Sequence, residues 1–176
     1  VLRLNSFIHD ERFTLEADLQ IQGSELIFDY ILSDPSGSLA LPSHGSSWSG
    51  PQISRALALW EHTCFEAFLQ PVGRENYYEF NFSYQPAWNA FEFTSYRTPQ
   101  PLRETADFAV MEMSWGSSPQ HLRVKVENRS PYRAFKVGLT AVLQEKNQNK
   151  HYCSLAHKGP KPDFHRADGF ILLRGV

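Results

Sequence analysis

Two apolar strand patterns in this chain each carry a glutamate at their centre. One is "WEHTCFEAFL", Trp60 to Leu69, and the other is "YYEFNFS", Tyr77 to Ser83. Side chains alternate across a strand, so each stretch has two faces. Phe65, Ala67 and Leu69 share one face of the first, and Tyr78, Phe80 and Phe82 share one face of the second. Neighbouring strands send their apolar faces to the same core. That brings Glu66, Glu79 and Asn81 together on the opposite face, with Trp60 and His62 near one end. Carboxylates and an amide offer several hydrogen-bonding positions, and an indole offers a flat apolar plate. Sugars present the matching groups: hydroxyls around the ring edge and C–H groups on its faces. The plainer reading of the same pattern is a solvated outer face, which one side of an antiparallel sheet commonly shows.

Two further stretches extend this set. "WNAFEFTSYR", Trp88 to Arg97, reads as a third strand. Its Phe91 and Phe93 read as core, which puts Arg97 on the core-side parity unless a bulge swings it round. "SLAHKGPKPDFHRADGF", Ser154 to Phe170, reads as an ordered loop leading into a last strand, "GFILLRG". His157, Lys158, Asp163 and His165 in this loop are candidates to complete a polar pocket. Pro160 and Pro162 would preorganise it. The alternative is a proline-pinned turn with surface charges.

The elements that must position these residues are strands. "FTLEADLQIQG" and "SELIFDYILSD" alternate and meet at Gly23. Residues 34–52 are rich in Ser, Gly and Pro and read as a long loop, a kind of segment that is often functional. "QISRALALW" reads as one helical turn or the entry to a strand. After the third strand, "DFAVMEMSW", "HLRVKVEN", "YRAFKVGLTAVLQEK" and "HYCSLAHK" follow at regular spacing. Arg133 to Lys146 has helix-forming residues, but Phe135, Val137, Leu139, Ala141 and Leu143 alternate, which favours a strand. About ten strands without a long helix predict an all-β sandwich or barrel.

Composition agrees with a globular chain. Its 176 residues favour one domain, residues 1–176, and suffice for a core without staples. Aromatics reach 14%, and the formal net charge of -2 gives no electrostatic reason to expect nucleic acid or an anionic membrane. Cys64 and Cys153 are too few for a disulfide framework and read as buried thiols, with a single bridge the alternative. No apolar run approaches the ~20 residues that cross a bilayer. No signal peptide is visible, so the expectation is a cytoplasmic protein, with the periplasm or secretion left open.

The blocks "LWEHTCFEAFL", "YYEFNFS", "WNAFEFTSYR" and "KPDFHR" together resemble the DOMON-like domains, a group related to carbohydrate-binding module family 9. In that group a "W…D/E…(C/S)VE(V/A)F" strand precedes a "YYEF(N/E)" strand. Trp60 to Leu69 and Tyr77 to Ser83 match both in order, and Lys161 to His165 match a segment of the bacterial stand-alone branch. The resemblance spans roughly residues 59 to 170. It implies a single-domain antiparallel β-sandwich of jelly-roll or immunoglobulin-like type. It also implies a non-enzymatic module that binds a carbohydrate or similar small polar ligand. In the sugar-binding branch a Trp six residues before a strand Glu helps hold the ligand, which carries over Trp60 and Glu66. Some relatives grip the sugar between two aromatic rings. The second ring has no matched counterpart here, Phe164, His165 and Trp48 being the available ones.

Two alternatives stay open. The wider DOMON group includes haem-binding domains for electron transfer, for which Met111, Met113 and seven histidines give raw material but no motif. A glycoside hydrolase would use Glu66 and Glu79, which adjacent strands could hold about 5 Å apart. No metal is expected. Asp107, Asp163 and Asp168 form no calcium loop, and His157 and His165 lack a zinc pattern; a structural calcium rests on the resemblance alone. Whether the module works beside a partner enzyme is left open.

Overall fold

The computed structural model describes residues 1–174. It is all-β, with three short 3₁₀ turns and no α-helix among the described residues. No helix there is long and apolar enough to cross a membrane. The strands are β1 (Leu2–Ser6), β2 (Thr14–Gln22), β3 (Glu25–Ser33), β4 (Ser46–Ser49) and β5 (Ser54–Arg55). Next come β6 (Cys64–Pro71), β7 (Tyr77–Phe82), β8 (Ala87–Phe93), β9 (Arg103–Glu104) and β10 (Phe108–Ser117). The last are β11 (Gln120–Asn128), β12 (Ala134–Gln144), β13 (Lys150–Ser154) and β14 (Ile171–Arg174). The final residue of the expected last strand, Gly175, lies outside the described residues.

Twelve of these form one curled, mostly antiparallel path, β4-β10-β11-β3-β2-β1-β13-β12-β6-β7-β8-β5. The two halves of the path face one another across the main core. Phe28 of β3 meets Phe82 of β7 at 5.1 Å between ring centroids, and Tyr30 meets Phe65 of β6 at 5.2 Å. The Tyr30 hydroxyl donates across this core to the Glu66 carbonyl oxygen at 2.6 Å. A buried ring needs such a partner for its polar end.

The expected loop at residues 34–52 is not structureless. Its end forms β4, which pairs with β10, and the turn Gly50–Gln52. β5 then runs parallel to β8. One short segment therefore ties both free edges of the curled sheet, where unpaired N–H and C=O groups would otherwise be offered to other chains. Arg55 fastens it by donating to Asn89 Oδ1 at 2.8 Å and to the Thr105 carbonyl at 2.6 Å, with its guanidinium over the Trp88 ring.

Alternation predicts the strip β12-β6-β7 well. Leu139, Ala67, Phe80 and Ala90 align toward the main core, as their register requires. The parity expected for β8 is overturned. Phe91 pairs with Glu79 and Phe93 with Tyr77, so both rings lie on the carboxylate face. Trp88 and Ala90 take the core side instead. The carboxylate face is not a solvated exterior. Phe68, Tyr77, Phe91 and Phe93 form a second buried cluster there, with Trp60, Leu102, Phe164 and Phe170 packed against it.

The cover is the C-terminal segment between β13 and β14. It is anchored at Gly138 of β12, where Phe170 lies against the bare backbone. A Cβ at Gly138 would come within 2.6 Å of the Phe170 ring. Phe170 also packs on Phe68, with ring centroids 6.0 Å apart. Gly138→Ala should therefore lift the Phe170 ring and loosen the cover. The expected loss is about 1–3 kcal/mol in urea unfolding, the cost of overpacking, with faster amide exchange across residues 161–170. Unchanged exchange in that stretch would show that the notch does not hold it.

Candidate functional site

The rows of side chains on the covered face follow from the register. Thr140, Glu66, Asn81 and Asn89 form one row across β12-β6-β7-β8. Gly138, Phe68, Glu79 and Phe91 form the next. Glu66 and Glu79 are thus diagonal neighbours rather than directly opposed. Diagonal positions are spaced by roughly 7–8 Å at Cα, beyond the ~5 Å of an opposed pair.

Trp60 reaches this face by a different route from the one its pattern suggests. β6 begins at Cys64, and Trp60 lies in a 3₁₀ turn, Leu59–Glu61, entered through Ala58 at φ 58°. Its indole packs edge-on against Phe91 at 6.1 Å. Arg97 also leaves the strand, at φ 52°. That turn aims its backbone N–H at the Tyr77 hydroxyl, 3.1 Å away, and carries its guanidinium to Asp163 at 2.9 Å. The core-side parity expected for Arg97 does not apply, because the strand has ended before it. Tyr96 donates to the other Asp163 oxygen at 2.6 Å. Burial pushes Asp163 up, but the hydrogen bonds from Tyr96 and Arg97 outweigh it and hold the carboxyl below its usual range.

His165 sits in an aromatic box. Phe68 and Phe93 each meet its ring edge-on at 5.1 Å, and the Tyr77 hydroxyl lies 2.7 Å from Nδ1. The Tyr77 hydroxyl also accepts the Arg97 N–H, and the other ring nitrogen, Nε2, faces Glu79 Oε2 at 3.5 Å. Burial, with the Arg97 charge second, lowers the imidazole to about 4. Near neutral pH it is uncharged.

The two glutamates are enclosed, at 4% and 6% exposure. Burial raises Glu79 to about 7, against the opposing pull of the Asn81 amide at 2.9 Å and the Arg97 charge. Burial, with the like charge of Glu79 second, pushes Glu66 well above the usual carboxylate range. The Thr140 hydroxyl approaches Glu66 only to 3.5 Å. Asn81 is fully buried, between Glu79 and the Cys64 thiol, so it orients Glu79 from behind.

These groups border a pocket of about 440 Å³. Trp60, Phe164 and Tyr152 contribute apolar surface to it, and Glu66, Glu79, Arg97, Asp163 and His165 contribute polar atoms. The structure thus brings six of the sequence-predicted residues to one cavity, with Asn81 directly behind it. It places three elsewhere. His62 pairs with Gln144 Oε1 at 3.0 Å. His157 contacts the Asn5 carbonyl at 2.8 Å and packs on Phe7. Lys158 lies by Gly169. Sequence reasoning missed Tyr77 and Tyr152 as site residues; neither has a signal beyond being aromatic in a strand. Trp48 borders a separate cavity beside Met113.

Asp10, Glu145 and His151 place ligand atoms within 4.8 Å of one another. The Arg12 guanidinium already bonds both carboxylates there, and its hydrogen bonds lower Asp10 to about 2. Asp107 and Asp168 are apart from them, held by Tyr78 and Arg166. Met111 is half exposed while Met113 is in the main core. Cys64 and Cys153 are free, buried thiols.

No family model matches this chain, and no curated protein matches it. Among solved structures, the chain is similar to the crystal structure of a "putative carbohydrate-binding protein" from Bacteroides uniformis ATCC 8492. The TM-score is 0.60 at 13% identity, over 99% of this chain and 85% of that one. At this identity the likeness is one of fold.

The buried ionisable groups make stability depend on pH in two opposed ways. Glu79 holds its proton up to about pH 7 when folded but only to 4.5 when unfolded. The folded state therefore carries the extra proton in that window, and stability falls as pH rises through it. His165 is the reverse, about 4 folded against 6.5 unfolded, so its contribution is lost as pH falls. His165→Asn should leave the carboxyl slope alone, giving stability that declines from about pH 5 to about pH 8 in urea titrations. Glu66→Gln should stabilise by about 1–3 kcal/mol near pH 8 and little near pH 5, since it removes a buried charge. Equal effects at both pH values would place Glu66 in a solvated setting.

Proposed function

We propose that this chain is a non-enzymatic binding module for a carbohydrate or similar small polar ligand. The observation that carries this reading is the single cavity where aromatic surface from Trp60, Phe164 and Tyr152 surrounds fixed polar groups. A sugar ring needs both at once, apolar plates for its C–H faces and donors and acceptors for its hydroxyls. Trp60 and Phe164 both border this cavity, and on this reading they are the two rings that would grip the sugar, as in the sugar-binding relatives of the DOMON-like group. The likeness to the Bacteroides uniformis "putative carbohydrate-binding protein" supports the same class of ligand. On this reading the curled sheet is a β-sandwich of the DOMON-like kind, related to carbohydrate-binding module family 9.

A hydrolytic reading has one observation in its favour, the pair of enclosed carboxyls with Glu79 near 7. A raised carboxyl is what a general acid requires. Binding needs no turnover, and the rest of the pocket is explained by binding alone.

Thermal-shift and calorimetric titration with simple sugars tests the proposal. A millimolar sugar well above its Kd should raise stability by mass action. Trp60→Ala and Phe164→Ala should each weaken binding about tenfold, the worth of an aromatic stacking face. No stabilisation by any sugar at millimolar concentration would end the binding reading. Product formation abolished by Glu66→Gln with binding retained would favour the hydrolase.

A further inference from the structure

The pocket holds more carboxyl groups than bases. Glu61, Glu66, Glu79 and Asp163 line it against Arg97 and Lys150. Arg97 is committed to Asp163, and Lys150 is exposed to solvent, where its charge is screened. Among the described residues no lysine or arginine makes an ion pair with Glu66 or Glu79. The basic group facing Glu79 is His165, and burial keeps that ring neutral.

The two carboxyls are also unequally served. Glu79 has the Asn81 amide at 2.9 Å and the His165 ring beside it, with Nε2 at 3.5 Å. Glu66 has the distant Thr140 hydroxyl and the neighbouring Cys64 thiol, both weak partners. So a carboxyl more than nine-tenths buried, with no strong donor, opens on a cavity. Buried charges in proteins are paired or suppressed by keeping their proton. Here the proton is kept, and a cation entering the cavity would take its place beside Glu66. The aromatic walls add to this demand, since their faces attract cations.

We infer that the pocket takes an amine-bearing sugar, a hexosamine with a free ammonium group, the ammonium resting on Glu66 and the ring between Trp60 and Phe164. This rests on the sugar-binding reading and narrows it to one ligand class. The ammonium donates to Glu66 and completes the hydrogen bonds that Thr140 and Cys64 leave unmade. Its charge also offsets the repulsion between Glu66 and Glu79, so binding expels the proton that the empty pair retains. The groups facing this pair are Thr140 from β12, Asn81 from β7, Arg97 from the turn after β8, and His165 and Asp163 from the cover. None of them supplies an uncommitted positive charge.

Titration calorimetry with glucosamine, glucose and N-acetylglucosamine, near pH 7 in two buffers of different ionisation enthalpy, tests the inference. Glucosamine should bind about tenfold tighter than the two neutral sugars, the gain of a charge-assisted hydrogen bond. Its heat should depend on the buffer, reporting proton release, while the heats of the neutral sugars should not. Glu66→Gln should erase the preference and the buffer dependence together. If glucose binds as tightly as glucosamine in the unmodified protein, the inference falls and the sugar-binding reading stands. If none of the three binds, both fall. A preference that survives Glu66→Gln overturns the placement of the ammonium.

Discussion

The site depends on one arrangement: the strip β12-β6-β7-β8 is buried on both faces. On its first face it packs against β3, as any curled sheet closing on itself must. On its second face it is roofed by a segment that returns from β13 and ends at β14. Burying a second face of aromatic rings is favourable by the area removed from water. The cover itself is poorly suited to fill the space, being rich in prolines, lysines and aspartates. It touches the sheet through Phe164, His165 and Phe170 and spans the rest. A cavity is what remains between a few anchors and a flat sheet.

The same burial determines the charge state of everything inside. Desolvation works against ionisation, so it raises the carboxyls and lowers the imidazole. Glu66, Glu79 and His165 are therefore all driven toward their neutral forms. Asp163 escapes because Tyr96 and Arg97 bond it directly. The enclosure thus sorts four ionisable groups into one stable anion and three groups reluctant to ionise. It also fixes orientation. The Arg97 N–H, the Tyr77 hydroxyl, the His165 ring and Glu79 form one line of contacts, at 3.1, 2.7 and 3.5 Å.

How much of this was legible depends on whether a residue's position follows from alternation. The all-β class, β6 and β7, and the shared face of Glu66, Glu79 and Asn81 did follow, because each strand has one plainly apolar side. In β8 both sides are apolar, Trp88 and Ala90 against Phe91 and Phe93, so alternation carries no direction. The choice is made by Phe68, Tyr77 and a cover far along the chain. Trp60 and Arg97 lie just past strand ends, each near a residue in the left-handed region, where strand parity stops applying. The clustering of His157 and Lys158 with Asp163 along the chain did not translate into proximity, since the segment turns between them. Phe164 was visible as a ring without a partner. Only the fold brings it to the same cavity as Trp60.

The polar row of the covered face gives a last argument about where function resides. Four polar side chains lie side by side there: Thr140, Glu66, Asn81 and Asn89. Asn89 is fully engaged, taking Arg55 and its own neighbour's N–H on its oxygen and giving to the Ala56 carbonyl and Glu104 from its amide. Asn81 is engaged with Glu79 and Cys64. Thr140 turns toward Glu66. Buried polar groups are ordinarily satisfied because an unmade hydrogen bond costs about 1–3 kcal/mol. In this row the flanks are closely engaged, while Glu66, the member that opens on the cavity, keeps only the long 3.5 Å bond from Thr140 and the weak Cys64 thiol. A buried carboxyl so lightly held costs stability, and such departures from local consistency concentrate at functional sites.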